Sequence, residues 1–248
     1  MYQDLHSHTY YSFCGKDTPE SIVEAAIAGG LDVFGISDHN YGIGLQRIDM
    51  FNDPSVHAHN TDYGRTLRRY YDHINLIREK YKDQIEVKRG IEICTVASRP
   101  ELILPESSDV SFFDYCLIEN LDCGDTVTKG DLFSYAKRLG TPLVGIAHTN
   151  MFDFIKTLGE DPLEYFKKMA ENNIFWEMNV SYDSIHNYRE HGYMLEFFNN
   201  EEQQEIIRES GVRLSIGFDG HKVEDYLADR VKDYCDKVSN MGIKLAFE

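Results

Sequence analysis

The chain has 248 residues, of which 42% are hydrophobic, and its 42 acidic and 25 basic residues give a formal net charge of −17. A chain of this length and apolar content can bury one full core, and no linker divides it, so we expect a single domain over 1–248. So acidic a chain repels polyanions, which excludes an extended nucleic-acid surface, although bound divalent cations would still make one pocket attractive to a phosphate.

The sequence also predicts a soluble, cytoplasmic protein without a disulfide framework. No apolar run approaches the roughly 18 residues that a membrane-spanning helix needs, and the first residues lack the basic and apolar segments of a secretory signal. The cysteines are odd in number and form no CxxC pair, which argues against structural disulfides and a zinc ribbon. They are Cys14, Cys94, Cys116, Cys123 and Cys235.

Apolar, β-rich runs alternate along the chain with segments of helical periodicity, a pattern that predicts a parallel sheet. The predicted strands are 2–8, 32–37, 85–93, 114–118, 142–147, 174–180 and 212–218. The predicted helices are 18–28, 61–82, 128–139, 161–172, 200–210 and 222–241. The fold class is therefore α/β, and a count of about seven βα units favours a distorted (β/α)7 TIM-like barrel over a doubly wound open sheet. The long irregular segment 40–60 is interpreted as a lid or binding loop rather than a disordered excursion.

Residues that commonly bind metals stand at the carboxyl end of nearly every predicted strand. In the first strand, His6 and His8 are two residues apart and therefore point to the same face. The others in chain order are Asp38, His39, Glu92, Glu119, Asp122, His148, Glu177, Asn179, Asp219 and His221. Because the carboxyl ends of barrel strands converge on one face, we expect these side chains to meet there. Glu177 and Asn179 are expected to support the ligands by hydrogen bonds.

A mixed set of imidazoles and carboxylates suits zinc, iron or manganese. There are more ligands than one ion needs, so we expect two or three divalent metal ions, with Glu92 as the carboxylate that bridges them. The remaining histidines are predicted to be surface or capping residues, although His57 and His59 could also line the lid. They are His57, His59, His73, His186 and His191.

Five motifs, in order, resemble those of the PHP superfamily, which is named for polymerase and histidinol phosphatase domains. They are "DLHSHT", "ISDH", "GIEI", "GIAHTN" and "IGFDGH". The resemblance covers nearly the whole chain and implies a distorted seven-unit barrel with a trinuclear metal site and metal-dependent phosphoesterase activity. It also implies three ligand sets. These are His6, His8, Glu92 and Asp219 for the first metal, Glu92, a fourth-strand residue and His148 for the second, and Cys14, His39 and His221 for the third.

Two positions depart from the usual family pattern. Many members have histidine at the end of the fourth strand, where this chain reads "LIENLD". A subset of bacterial phosphotyrosine phosphatases in the superfamily has glutamate in a similar context, which favours Glu119 over Asp122. Cys14 stands where the family commonly has His or Asp, and its thiolate would bias the third site toward zinc or iron. Alternatively, Cys14 is merely tolerated beside a weakly filled site.

The predicted reaction is hydrolysis of a phosphomonoester by a metal-bridging hydroxide. The candidate catalytic residues are Asp38, His39, Glu92 and Asp219; Asp38 or His39 would orient a ligand or protonate the leaving oxygen. Among arginines that follow strand ends, Arg189 and Arg47 are the candidates for binding the phosphate of a small substrate. Histidinol phosphate is the leading substrate, because chains with a run like 80–93 in this family act on it. The alternatives are a phosphotyrosine or nucleotide phosphatase, and a non-catalytic metal-bound scaffold module.

Overall fold

Parallel strands alternate with helices along the chain, as the hydrophobic pattern predicts. The computed structural model describes residues 1–43 and 63–248, so most of the predicted lid, with Arg47, His57 and His59, lies outside the described residues. The strands are β1 (Gln3–Asp4), β2 (Val33–Ile36), β3 (Glu86–Arg89), β4 (Glu92–Cys94), β5 (Tyr115–Glu119), β6 (Leu143–Ile146), β7 (Ile174–Asn179) and β8 (Leu214–Gly217).

Helices cover the sheets, and several begin at a side chain that caps the first turn. Thr18, Asp131, Asn150, Asp161 and Asn200 each accept a hydrogen bond from a backbone N–H in the first turn of their helix. The helices are α1 (Pro19–Ala28), α2 (Tyr63–Tyr81), α3 (Leu132–Leu139), α4 (Met151–Leu158), α5 (Pro162–Glu171), α6 (Gly192–Phe198), α7 (Glu201–Ser210) and α8 (Ala228–Asn240), with 3₁₀ helices at Pro100–Leu102 and Val223–Asp225. Of these, α4 and α6 were not predicted.

The described strands form two parallel sheets rather than one continuous barrel. One sheet has the order β1-β2-β3 and the other the order β4-β5-β6-β7-β8. The predicted third strand is divided between them around Gly90, where the ring of Tyr115 lies 2.3 Å from the position that a Cβ of residue 90 would take. At the opposite edges, the Leu5 N–H donates to the Ile216 carbonyl over 2.9 Å.

Side chains alternate between two apolar clusters, and this alternation positions the site. The residues of β5 and β7 with odd numbers, such as Tyr115, Leu117 and Phe175, pack in a small inner cluster, whereas their neighbours pack against the helices. Because successive side chains point to opposite faces, Glu119 and Glu177 continue the inner face at the carboxyl ends of these strands. Tyr115 closes the inner cluster by donating its hydroxyl to the Leu5 carbonyl over 2.6 Å.

None of the helices in residues 1–43 and 63–248 combines the length and the apolar character that a membrane crossing requires. The five cysteines all lie within the described residues and are free thiols, as the sequence predicts.

Asp114→Asn is expected to destabilise the fold by about 1–3 kcal/mol at pH 7, because it weakens a charged hydrogen-bond pair. Asp114 accepts from Arg89 Nε over 3.0 Å and from Nη2 over 2.6 Å. Burial would raise the pKa of Asp114, but the hydrogen bonds from Arg89 hold it below its usual value of 3.8. The ion pair therefore stabilises the folded protein at pH values above 3.8. This stabilisation is lost as the pH falls through the folded-state pKa of Asp114.

Urea unfolding of the natural chain and the variant at pH 7 and pH 3 checks this expectation. The difference in unfolding free energy should shrink at the lower pH, and Asp72→Asn, a change at an exposed carboxylate of α2, should have little effect at either. An Asp114→Asn penalty that is equal at both pH values would contradict the pairing.

Candidate metal centre

The carboxylate of Glu92 is fully buried and lies between four imidazoles. Its Oε1 is 3.2 Å from both His6 Nε2 and His148 Nε2. Its Oε2 is 2.7 Å from His39 Nδ1 and 3.5 Å from His8 Nε2. Four imidazoles from the segments that follow β1, β2 and β6 thus meet at one side chain from the start of β4.

Asp219 completes the group beside the first two histidines. Its Oδ1 lies 3.0 Å from His8 Nε2 and 3.5 Å from His6 Nε2. The two Nε2 atoms are themselves 3.1 Å apart, so both rings point at one position. We call these six residues the histidine–carboxylate cluster. They are His6, His8, His39, Glu92, His148 and Asp219.

Three further predicted ligands lie around this cluster. Cys14 groups with His8 and His39, and Glu119 groups with His39 and Glu92, each set having ligand atoms within 4.8 Å of one another. The ring of His221 stacks on that of His8 with centroids 4.6 Å apart. Asp122, the alternative to Glu119, is exposed and belongs to none of the groups found among the described residues.

The strand ends hold the cluster through tight packing and strained backbone. Glu177 Oε1 accepts from His6 Nδ1 over 2.6 Å, which leaves Nε2 facing the cluster, and Glu177 Oε2 accepts from the His148 N–H over 2.8 Å. Residue 217 must be glycine, because a Cβ there would lie 2.0 Å from Glu177 Oε1. His148 and Asp219 have φ angles of 29° and 56°, a left-handed conformation that non-glycine residues adopt at a cost and that concentrates at functional sites.

The cluster is electrostatically coupled. Burial would raise the pKa of Glu92, but the charges of His6 and His39 hold it well below its usual range. Burial would lower the pKa of His148, but its hydrogen bond with Glu92 raises it to about 9. By contrast, burial and the charge of His39 lower the pKa of His8 to about 3. A cation that binds here displaces protons from the raised imidazoles, so its affinity increases with pH.

The donor atoms fit a group of divalent cations. His39 Nδ1 and Glu92 Oε2 are 2.7 Å apart but not in hydrogen-bond geometry, and Glu119 Oε1 is buried without a hydrogen bond. Leaving such atoms unpaired costs free energy, and a shared cation would satisfy them. Imidazole, carboxylate and thiol donors together suit zinc, iron or manganese rather than calcium.

A model of the PHP domain family matches residues 4–122. This part of the chain, nearly half of its length, is similar to PHP domains. The matched segment contains the first three motifs and six of the predicted metal ligands, and residues beyond it complete the histidine–carboxylate cluster. His6, His8, Cys14, His39, Glu92 and Glu119 lie in the matched segment together with the predicted catalytic residue Asp38.

The chain is similar in sequence and in fold to histidinol phosphatases of Lactococcus lactis subsp. lactis. A curated histidinol-phosphatase is 25% identical over 122 residues, which are 49% of this chain and 40% of that protein, so the match spans less than half of the relative. A crystal structure of a histidinol phosphate phosphatase, in complex with zinc, L-histidinol and phosphate, covers 98% of this chain and 95% of its own at a TM-score of 0.58. At 17% sequence identity, this structural similarity shows a shared fold and nothing further.

Asp38, unlike the other predicted catalytic residues, lies outside the histidine–carboxylate cluster. Its Oδ1 accepts from the N–H of Thr9 over 2.7 Å and from the hydroxyl of Ser12 over 2.7 Å, while Oδ2 accepts from the Thr9 hydroxyl. Ser12 Oγ in turn accepts from the His39 N–H over 2.9 Å. Asp38 therefore fixes the loop after β1 and is in none of the metal-ligand groups of the described residues.

The arginine predictions stay open. Arg189 lies in the loop after β7 and is exposed, with its backbone N–H donating to the His186 carbonyl over 3.2 Å. Arg47 lies outside the described residues. Neither side chain is brought to the histidine–carboxylate cluster by a contact within the part of the chain that the structure describes.

The sequence analysis missed two residues at the edge of the site. His186, predicted to be a surface or capping residue, is half-buried, and its Nε2 lies 3.1 Å from Asp219 Oδ2. Its Nδ1 lies 2.7 Å from Oδ1 of Asp183, a buried residue that was not singled out. The signal that could have found them is the Asp-x-x-His spacing directly after a strand end that already carries Glu177 and Asn179.

Glu119→Gln is expected to weaken metal binding by at least roughly 10- to 100-fold, since even supporting residues of metal sites have effects of that size. The change removes a buried carboxylate 3.5 Å from His39 Nδ1. Asp122→Asn, three residues further on and exposed, is the matched control and should bind metal like the natural chain. Zinc titration with a competing chelator measures both, and equal affinities for the two variants would contradict the assignment.

Proposed function

We propose that this protein is a metal-dependent phosphomonoesterase, with histidinol phosphate as its leading substrate. The observation that carries the proposal is the contact of four imidazoles with the single buried carboxylate of Glu92, beside Asp219. Groups of nitrogen and oxygen donors around a bridging carboxylate are typical of multinuclear centres that act on phosphate esters.

We further propose that residues 1–248 form one domain in which the two sheets close as a distorted seven-unit barrel. Support comes from the hydrogen bond between Leu5 and Ile216 and from the bridges of Ser7 with Gly220 and His39 with Glu92, which link the sheets at both edges. In such a barrel the metal site occupies the carboxyl ends of the strands.

The proposed centre holds two or three divalent ions. Glu92 would be shared, with His6, His8 and Asp219 as one set, His148 and Glu119 as a second, and Cys14, His39 and His221 as a third. Cys14 favours zinc or iron over manganese in the third position, because thiolates prefer softer metals. Bound cations lower the pKa of water toward neutrality and neutralise charge that develops on phosphoryl oxygens.

The residues of the chain have distinct tasks in this proposal. Glu177 keeps the proton on Nδ1 of His6, so that Nε2 faces the cations. Asp38 holds the loop that carries Cys14 and does not transfer a proton, since both of its oxygens accept hydrogen bonds. His39 remains the candidate to protonate the leaving oxygen when the third position is not filled. Arg189 is proposed to contact the substrate phosphate as a guanidinium on an exposed loop.

Histidinol phosphate is favoured over the other phosphate esters for two reasons. The relatives that match the chain in sequence and in fold are named for that activity. In addition, a chain with a formal net charge of −17 attracts the ammonium group of this substrate, while bound cations attract its phosphate.

A panel of phosphate esters tests the proposal with the purified zinc-loaded protein. Histidinol phosphate should be hydrolysed with a kcat/KM at least about 100-fold above those of phosphotyrosine and a nucleoside monophosphate, because a site built for its polar groups rejects esters that lack them. A chelator should abolish hydrolysis and zinc should restore it. Comparable rates on all esters would overturn the substrate assignment, and no metal-dependent hydrolysis of any ester would favour a scaffold module.

A further inference from the structure

The carboxylate of Asp183 lies between two imidazoles in the loop that connects β7 with α6. Its Oδ1 accepts from Nδ1 of His186 over 2.7 Å and from the His186 N–H over 2.8 Å. Its Oδ2 is 4.0 Å from Nδ1 of His221, and both of these atoms are buried without a hydrogen bond. The side chains of Asp183 and His221 are 1% and 6% exposed, so both are shielded from bulk water.

Both imidazoles direct their other nitrogen toward the same carboxylate of the histidine–carboxylate cluster. Nε2 of His186 is 3.1 Å from Asp219 Oδ2, and Nε2 of His221 is 3.8 Å from Asp219 Oδ1. His186 and His221 are therefore oriented alike: Nδ1 of each ring faces Asp183, and Nε2 of each ring faces Asp219.

A carboxylate at Nδ1 of a histidine keeps the proton on that nitrogen and leaves the lone pair of Nε2 free for a metal. Glu177 already has this relation to His6 at the other side of the cluster. We infer that Asp183 is a positioning residue that orients His221, and with it His186, toward the cations beside Asp219.

The loop around Asp183 fixes the carboxylate by contacts of its own. The Tyr188 N–H donates to the Asp183 carbonyl over 2.8 Å, which closes a turn around His186. The hydroxyl of Ser184, the residue after Asp183, donates to Asp225. This hydrogen bond connects the loop to the 3₁₀ helix that follows His221.

The inference rests on the metal centre of the proposed function but not on phosphatase activity. Cobalt(II) is a suitable probe, because a thiolate ligand gives it a charge-transfer absorption that reports on the position shared by Cys14 and His221. Asp183→Asn should weaken the cobalt binding followed at this absorption by roughly 10- to 100-fold, the usual effect of removing a partner of a metal-bound histidine. Asp229→Asn, at an exposed carboxylate paired with Lys232 on α8, is the control and should bind cobalt like the natural chain.

A second measurement needs no substitution and so does not depend on how the variant folds. Nitrogen-15 NMR of the histidine rings in the zinc-loaded full chain should show His186 and His221 with the proton on Nδ1. Protons on Nε2 of these rings, or an Asp183→Asn variant with unchanged cobalt affinity, would overturn the inference. Failure of the natural chain to hydrolyse any phosphate ester, with both expected results obtained, would overturn the proposed function and leave this inference standing.

Discussion

Glu92→Gln is expected to reduce the kcat for phosphoester hydrolysis by at least about 10³-fold, at the upper end of losses seen when one electrostatic group of an active site is removed. Glutamine has nearly the same shape but lacks the charge that holds the cations together. It would also leave four imidazoles around a neutral amide, since Glu92 contacts His6, His8, His39 and His148. Steady-state kinetics with histidinol phosphate and metal analysis of the purified variant measure the effect.

Glu86→Gln is the matched control for this change. Glu86 begins β3, the strand directly before β4, but its side chain is exposed and paired only with Lys88 in the described contacts. The control should retain both turnover and metal content. A Glu92→Gln variant with the kcat and the metal content of the natural chain would contradict the central place of this carboxylate.

His148→Ala is expected to abolish turnover while the fold is retained. The imidazole is 23% exposed and contacts Glu92 over 3.2 Å, so its removal deletes a proposed ligand without opening a large cavity in the apolar core. Hydrolysis rates and the thermal unfolding midpoint, followed by circular dichroism, separate the two effects.

His73→Ala serves as the control for the loss of an imidazole elsewhere. His73 lies on α2, where its Nδ1 is 2.8 Å from the hydroxyl of Tyr11, and it belongs to no metal-ligand group of residues 1–43 and 63–248. Its variant should keep full turnover. Unchanged turnover of His148→Ala would count against the second metal set as proposed.

The positions of the metal-type ligands could be predicted because strand geometry constrains them. The spacing of His6 and His8 puts both on one face of a strand, and parallel strands bring their carboxyl ends together. Glu92, His148 and Asp219 follow from the same rule, as does the support that Glu177 gives to His6. Each of these predictions needed only the strand assignment and the alternation of side chains.

Other features depend on contacts that no local pattern contains. One is the division of the predicted third strand around Gly90, which packs against the ring of Tyr115, 25 residues later in the chain. Asp38 and His39 are adjacent at one strand end, yet only His39 contacts Glu92, because Thr9 and Ser12 engage the carboxylate of Asp38. The sequence predicts that both residues lie near the site. It does not show that the loop after β1 binds the carboxylate of Asp38 and leaves His39 to contact Glu92.

The short helices and the role of His186 were missed for a related reason. The helices α4 and α6 are short, with eight and seven residues. α4 begins three residues after His148, and α6 begins directly after His191. His186 reaches Asp219 because the loop turns back after β7. Hydrophobic periodicity carries no information about the direction of such a loop.

Anomalous diffraction at the zinc absorption edge, from crystals of the chain grown with zinc, shows directly whether cations bind around Glu92. We expect at least two anomalous peaks within about 2.0–2.3 Å of donor atoms in the histidine–carboxylate cluster, with Glu92 between them. Crystals with zinc only at surface positions, and none beside His6, Glu92, His148 or Asp219, would contradict this expectation.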